Sequence, residues 1–289
     1  MIRIRHRTAY RYPERVQLGP HRLMLRPRES RDLRLVSYEL LVSPEARVTW
    51  AQDVFGNSVA TATFSGPAGE LVIDSVAELR LDAEAWPIFN IATDALSFPF
   101  RYSDEDWTDL GALALPVHAD PDGRLRAWAQ GFVLGPATDT LSLLRDLSNG
   151  VATRVAYEIR DDEGTQSPGE TLGRSRGSCR DLAVLFAEAA RSLGFGARLV
   201  SGYLHNPDLE SVGSAGAGST HAWAEIYVPG AGWITFDPTN RSLGSANLIP
   251  VAVARDLRQA MPVIGSYSGG GSGPAEMSVE VVVAEVSGA

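Results

Sequence analysis

One cysteine stands in this chain, and it stands where a nucleophile would be placed. Cys179 lies in Gly177-Ser178-Cys179-Arg180-Asp181, where a glycine-bearing turn runs into an amphipathic segment. His221 follows in Thr220-His221-Ala222-Trp223, and Asp237 in Thr235-Phe236-Asp237-Pro238-Thr239. A thiol, an imidazole and a carboxylate can serve as nucleophile, base and the group that orients the base. Only the thiolate attacks, and the free N–H groups and dipole at a helix N-terminus favour that anion. The same N–H groups can hold the oxyanion that forms at an attacked carbonyl. In this scheme Gly177 gives the sharp turn, His221 protonates the leaving amine, Asp237 holds the other ring nitrogen, and Trp223 keeps water from that contact. Each residue alone has a bland alternative. A lone cysteine is more often a small buried hydrophobe, a strand histidine is more often structural, and an aspartate before proline is often a turn former. The three together, with the cysteine at the polar start of a helix, favour catalysis.

These side chains need elements to hold them. Residues 179–193 read as the clearest helix, with Leu182, Leu185, Phe186, Ala189, Ala190 and Leu193 on one face and Gly194 at its end. Strands are expected over 197–204, 221–228 and 233–236. A hairpin symmetric about the loop 229–232 sets Asp237 opposite Ala224. That leaves His221 three positions away and on the other face, because strand side chains alternate. A working triad therefore requires an odd register shift, such as a β-bulge.

Upstream, residues 1–85 are β-rich, with runs at 2–12, 33–42, 59–64 and 71–81 between turn signals, which suggests a small sandwich. Residues 86–137 read as a connecting segment, with a short helix at 104–115 capped by Ser103 and another at 125–132. A catalytic core is expected over 138–265. It begins with a helix through Leu141, Leu144 and Leu147; 151–159 either extends that helix or is extended chain. Residues 161–177 read as polar loop, His205 as a loop residue, and the Gly/Ser/Ala-rich 211–219 as either a mobile flap over the site or an unimportant insertion. Residues 266–289 read as a flexible linker and a last strand at 278–286.

Composition sets the class. The 289 residues are 44% hydrophobic and 21% charged, ordinary for a soluble globular protein. No run approaches the ~18 apolar residues of a membrane span. Residues 1–7 alternate apolar and basic like a strand, without the apolar core of a secretory signal. A single cysteine forms no internal disulfide, so the expected compartment is the cytoplasm. Net charge is −9, yet residues 1–50 carry eleven Arg against five Asp or Glu. Arg3, Arg5 and Arg7 alternate with Ile2 and Ile4, as on a solvated strand face. With mixed charge and no dense basic patch, neither nucleic acid nor membrane is an expected partner.

The segments Gly-Ser-Cys-Arg-Asp, Gly194-Phe195-Gly196-Ala197-Arg198-Leu199-Val200-Ser201-Gly202-Tyr203, Thr-His-Ala-Trp-Ala-Glu-Ile-Tyr-Val and Gly-Trp-Ile-Thr-Phe-Asp-Pro-Thr resemble the bacterial transglutaminase-like superfamily. The core resemblance runs from about 140 to 245, and the N-terminal region looks like the domain that precedes this core in bacterial members. The resemblance implies an α+β fold with a papain-like core, the cysteine helix packed on an antiparallel sheet. It carries the nucleophile to Cys179, the base to His221 and the orienting acid to Asp237. The amide of Cys179 is one candidate oxyanion donor. Tyr157 is either a second, through its hydroxyl, or a core tyrosine, and Asp181 is a helix-dipole partner. One acyl-thioester intermediate serves three outcomes in such proteins: hydrolysis of a peptide or amide bond, transfer to an amine, or, where catalysis is lost, a protein-interaction module. The intact triad favours catalysis, and the leaning is to a peptidase or amidase acting on a peptide or protein. No cofactor or metal is expected, since no EF-hand-like loop is present.

Overall fold

Alternating apolar and charged residues from Ile2 onward build a long first strand in this computed structural model, which describes residues 1–160, 164–205, 218–269 and 276–286. In chain order the N-terminal strands are β1 (Ile2–Leu18), β2 (His21–Leu23), β3 (Leu33–Ser43), β4 (Ala46–Gln52), β5 (Ser58–Phe64) and β6 (Pro67–Leu81). The middle holds β7 (Ser97–Phe98), α1 (Asp104–Leu110), α2 (Arg124–Gln130), β8 (Thr138–Asp139), α3 (Thr140–Arg154), β9 (Ala156–Tyr157), α4 (Pro168–Arg174), β10 (Arg176–Gly177) and α5 (Cys179–Ser192). Then come β11 (Ala197–His205), β12 (Gly218–Val228), β13 (Gly232–Asp237), β14 (Ser242–Leu243), β15 (Leu248–Ala254), β16 (Val263–Ile264), β17 (Tyr267–Ser268) and β18 (Glu276–Glu285).

Two antiparallel sheets form the N-terminal sandwich. In one, β1 lies between β6 and the returning strands β17 and β18, with β3 beyond β6; the other runs β16-β2-β5-β4. Val16, Leu18, Leu23, Ala60, Ala62, Leu71 and Ile73 fill the space between them. On β1 the isoleucines point inward and the arginines outward. Arg5 meets Asp74 at 2.6 Å and Arg3 meets Glu78 at 3.7 Å, so the basic N-terminus is answered by acids on the neighbouring strand. β4, β2 and β15 were not anticipated. β18 pairs along β1 from Ile2 opposite Glu285 to Arg11 opposite Glu276, so the end of the chain closes onto its beginning.

The middle differs from expectation in places with clear causes. The helix expected at 104–115 breaks at Gly111, where φ is 44°, into α1 and a short 3-10 turn. Its cap is as read: the Ser103 hydroxyl accepts from the Asp106 amide at 3.0 Å. α3 runs through Arg154 before the chain extends at β9. α4 lies inside the stretch read as polar loop. Its signal was Ser167-Pro168-Gly169-Glu170, a capping box with proline at the first helical position, and the glycines obscured it.

The core follows the α+β expectation. β14-β13-β12-β11-β15 form one antiparallel sheet, and α5 packs across it, Phe186 against Phe236 with ring centroids 5.2 Å apart. α2, α3 and α4 cover the rest of α5, which is why nearly all of it is buried rather than one face. Two charges go inside with it. Arg191 donates to Glu188 at 2.5 Å and to the carbonyls of Leu113, Ala197 and Arg255; the other Glu188 oxygen accepts the amides of Val117 and His118. A buried pair with every group satisfied is tolerated, but removing one partner strands the other. Glu188→Ala is expected to cost about 3–5 kcal/mol of stability in denaturant unfolding. A loss under about 1 kcal/mol, as for a surface pair, would contradict this account.

Candidate active site

Cys179 opens α5 and is partly exposed. The carboxylate of Asp181, one turn in and fully buried, organises the chain around it. Asp181 Oδ2 accepts from the Ser178 amide and hydroxyl, both at 2.9 Å, and from Arg160 Nε at 3.1 Å; Oδ1 accepts the Gln166 amide at 2.7 Å. Burial alone pushes this carboxyl up, and the ring of donors overrides it, holding Asp181 below the ordinary range. Asp181 thus does more than meet the helix dipole. It ties two upstream segments, at Arg160 and Gln166, to the start of the cysteine helix. Gly177 serves this packing through its missing side chain: a Cβ there would sit 2.9 Å from the Asp181 Cβ.

Tyr157 reaches the same place from β9. The parallel pair β9–β10 sets Tyr157 opposite Gly177, and the Glu158 amide donates to the Gly177 carbonyl at 2.9 Å. At 56% exposed, Tyr157 is not a core tyrosine. Its hydroxyl is pushed up first by partial burial and then by charge interaction with Cys179. Ile159, two residues on, is exposed as well.

His221 and Asp237 come from β12 and β13. The ladder pairs Ala224 with Phe236 and Val228 with Gly232, one residue away from the symmetric register. The odd shift arises in the turn, not as a bulge within the strands. Ala231 donates back to the Val228 carbonyl at 3.1 Å, with Pro229 and then Gly230 at φ 82° in the positions a type II turn gives them. A three-residue loop therefore joins the strands, and His221, Trp223 and Asp237 share a face. His221 Nε2 lies 2.8 Å from Asp237 Oδ2. The remaining nitrogen, Nδ1, is left for Cys179. Burial pulls the imidazole down, but hydrogen bonds and charge from Asp237 and Cys179 outweigh it and push His221 up to about 10. Asp237 shows the converse: burial raises it, while His221 and Asn240 hold it below its ordinary value.

Two contributors were missed from sequence. Asn240 Nδ2 donates to Asp237 Oδ2 at 2.7 Å, and the Thr239 and Asn240 amides donate to Oδ1 at 3.0 and 3.3 Å. Asp-Pro-Thr-Asn carried the signal, since an aspartate tends to bond backbone amides two residues on. Gly202 lies opposite His221 on β11. A Cβ there would meet the Ile249 carbonyl oxygen at 2.2 Å and the Trp223 ring at 2.7 Å. Trp223 is buried and stacks beside His221 with centroids 6.0 Å apart, so it packs on the ring. His205 ends β11, buried, with Nε2 3.9 Å from Glu285. Residues 211–217 of the expected flap lie outside the described residues; 218 and 219 begin β12. Among the described residues no cluster of three or more His, Cys, Asp or Glu is placed to hold a metal ion.

The His221 ring gives a direct check. A carboxylate partner favours the imidazolium, so replacing Asp237 with Asn must lower the titration. By histidine NMR, His221 is expected to titrate near 10 in the native chain and well below that in Asp237→Asn. Equal midpoints in the two proteins would contradict the pairing.

The comparisons agree with this architecture. Residues 2–80 match the bacterial transglutaminase-like N-terminal region, and residues 126–238 match the transglutaminase-like superfamily. The chain is 29% identical to Rv2569c of Mycobacterium tuberculosis over 296 aligned positions, covering 97% of this chain and 92% of that one. It is 26% identical to ML0607 of Mycobacterium leprae, covering 97% and 98%. Among solved structures, a Cytophaga hutchinsonii protein designated a candidate cysteine protease shares the fold with a TM-score of 0.74 at 18% identity, over 100% of this chain and 92% of that one. With a β-sandwich ahead of a cysteine helix packed on an antiparallel sheet, the chain joins a bacterial transglutaminase-like N-terminal region, over residues 2–80, to a transglutaminase-like core, over residues 126–238.

Proposed function

We propose that this protein is a cysteine-dependent acyl-transfer enzyme that cleaves a peptide or amide bond through a thioester. The observation that carries the reading is the convergence of Cys179, the raised imidazole of His221 and the buried Asp237. The Cys179 sulfur attacks the carbonyl carbon as a thiolate, and the C=O pair moves onto oxygen. The Cys179 amide, at the N-terminus of α5, takes one side of that oxyanion, and the Tyr157 hydroxyl takes the other. The intermediate collapses with loss of the amine, which leaves with the proton from His221 Nδ1. Water then attacks the thioester, gives its proton back to His221, and releases the acid. Asp237 keeps Nε2 occupied, so Nδ1 remains the nitrogen that moves protons. The exposed segment from Tyr157 on β9 to Ile159 offers an edge along which an extended peptide can lie beside the thiol.

An amine in place of water would make the same thioester a transamidation intermediate. The chain has no lysine, so its own side chains provide no ε-amine acceptor. The reading of a non-catalytic interaction module is disfavoured by the buried His221–Asp237 pair behind the thiol, to which the exposed Asn240 donates.

Intact-mass labelling with iodoacetamide tests the nucleophile. Cys179 is expected to label rapidly near pH 6 in the native chain and slowly in His221→Ala. Labelling that rises only near the free-thiol value of about 8.5 in both proteins would refute activation and return the chain to the module reading. On amide substrates, mass analysis of products formed with and without an added amine separates hydrolysis from transfer. Tyr157→Phe is expected to lower kcat by about a hundredfold with little change in KM. An unchanged kcat would remove Tyr157 from the oxyanion site.

A further inference from the structure

We infer that the tip of the β4–β5 hairpin in the N-terminal sandwich, Asp53 through Asn57, is a positioning element that holds the His221 ring through Trp223. The inference rests on the reading of His221 as the base.

The tip is clamped to the catalytic sheet. Asn57 is fully buried and uses all the hydrogen-bonding capacity of its amide. Nδ2 donates to the Val253 carbonyl at 2.7 Å and to Asp53 Oδ2 at 2.9 Å. Oδ1 accepts from the Val253 amide at 2.9 Å and from Arg28 at 2.6 Å. Asp53 Oδ1 also accepts the amides of Phe55 and Asn57, at 3.0 and 2.9 Å, which fixes the shape of the turn. A clamp this complete sets where Phe55 sits.

From there the contact runs across the sheet. Val253 on β15 lies opposite Val200 on β11, and Val200 lies opposite Trp223 on β12. These three form one row on the face away from α5, and Phe55 packs against the cluster they make with Leu248. The far end of the row is the Trp223 ring beside His221.

The histidine needs such a wall. It lies three residues beyond the last β12–β13 pair. Its neighbour on β11 is Gly202, which offers no side chain, and the β11–β15 pairing slips between Ser201 and Gly202. Asp237 grips one edge of the ring; Trp223 packs beside its face. The N-terminal sandwich would then be a working part of the active site, without touching substrate.

The test uses the full chain with labelled histidine, His221→Ala assigning the resonance. Phe55→Ala and Asn57→Ala are expected to lower the His221 midpoint by about one pH unit and to slow Cys179 alkylation at neutral pH about tenfold. Phe55→Leu is expected to restore most of both. Ile73→Val, in the sandwich core, is expected to lower Tm while leaving the midpoint in place. If Asn57→Ala does not fold, Phe55→Ala decides, since Phe55 is only partly buried. A native midpoint retained in Phe55→Ala overturns the inference alone. A native protein whose His221 titrates near 6.5 overturns the reading of the base, and this inference with it.

Discussion

The arrangement around Cys179 depends on one buried carboxylate. Asp181 has no contact with solvent, and an unpaired charge there would cost several kcal/mol. It is stable only because donors from three stretches of chain converge on it: Arg160, Gln166 and Ser178. That requirement runs in both directions. The carboxylate needs the donors, so the loops that bring them are drawn to the helix start, and the segment carrying Tyr157 comes with Arg160. Gly177 follows from the same constraint, since a side chain there would strike Asp181.

The second constraint is parity along the sheet. His221 and Asp237 meet only if β12 and β13 pair with an odd offset, and a three-residue loop supplies it at the turn. With that offset, Ala222, Ala224, Ile226, Ile234 and Phe236 face α5, while Trp223 lies on the opposite face with Val200 and Val253. The N-terminal sandwich meets the sheet at two places: Phe55 packs on that second cluster, and Ile2, Ile4, Leu33 and Leu79 pack on Tyr203, Ile249 and Val251. A large apolar contact of this kind joins the two units more firmly than a tether would.

Much of this was legible because its signals are local. The apolar spacing of α5, the alternation of β1 and the Ser103 cap are each written within a few residues. The need for an odd register was also legible, from counting positions, although its location was not; a bulge and a three-residue loop give the same parity. What escaped was either masked or long-range. α4 hid behind its glycines. Asp181 reads as an ordinary first-turn acid until Arg160, twenty-one residues upstream, arrives at its side. Tyr157 has the composition of a core residue, and only its position on a short edge strand exposes it. Gly202 sits in a plain strand sequence, and its reason lies on two other strands.

The two buried carboxylates of the site show how a partner decides a role. Asp181 is paired with a guanidinium, which does not deprotonate in the working range, so its network is a fixed lock. Asp237 is paired with an imidazole, which can release its proton. Both shifts in that pair stabilise the fold over a definite window. The lowered Asp237 contributes fully above its ordinary value of 3.8, and the contribution is lost as pH falls through its folded value. The raised His221 contributes fully below its ordinary 6.5 and is lost as pH rises through about 10. Between 3.8 and 6.5 both are complete. Above that range stability declines as the imidazolium becomes harder to keep. That decline is the cost of having, next to the thiol, a group whose proton can move.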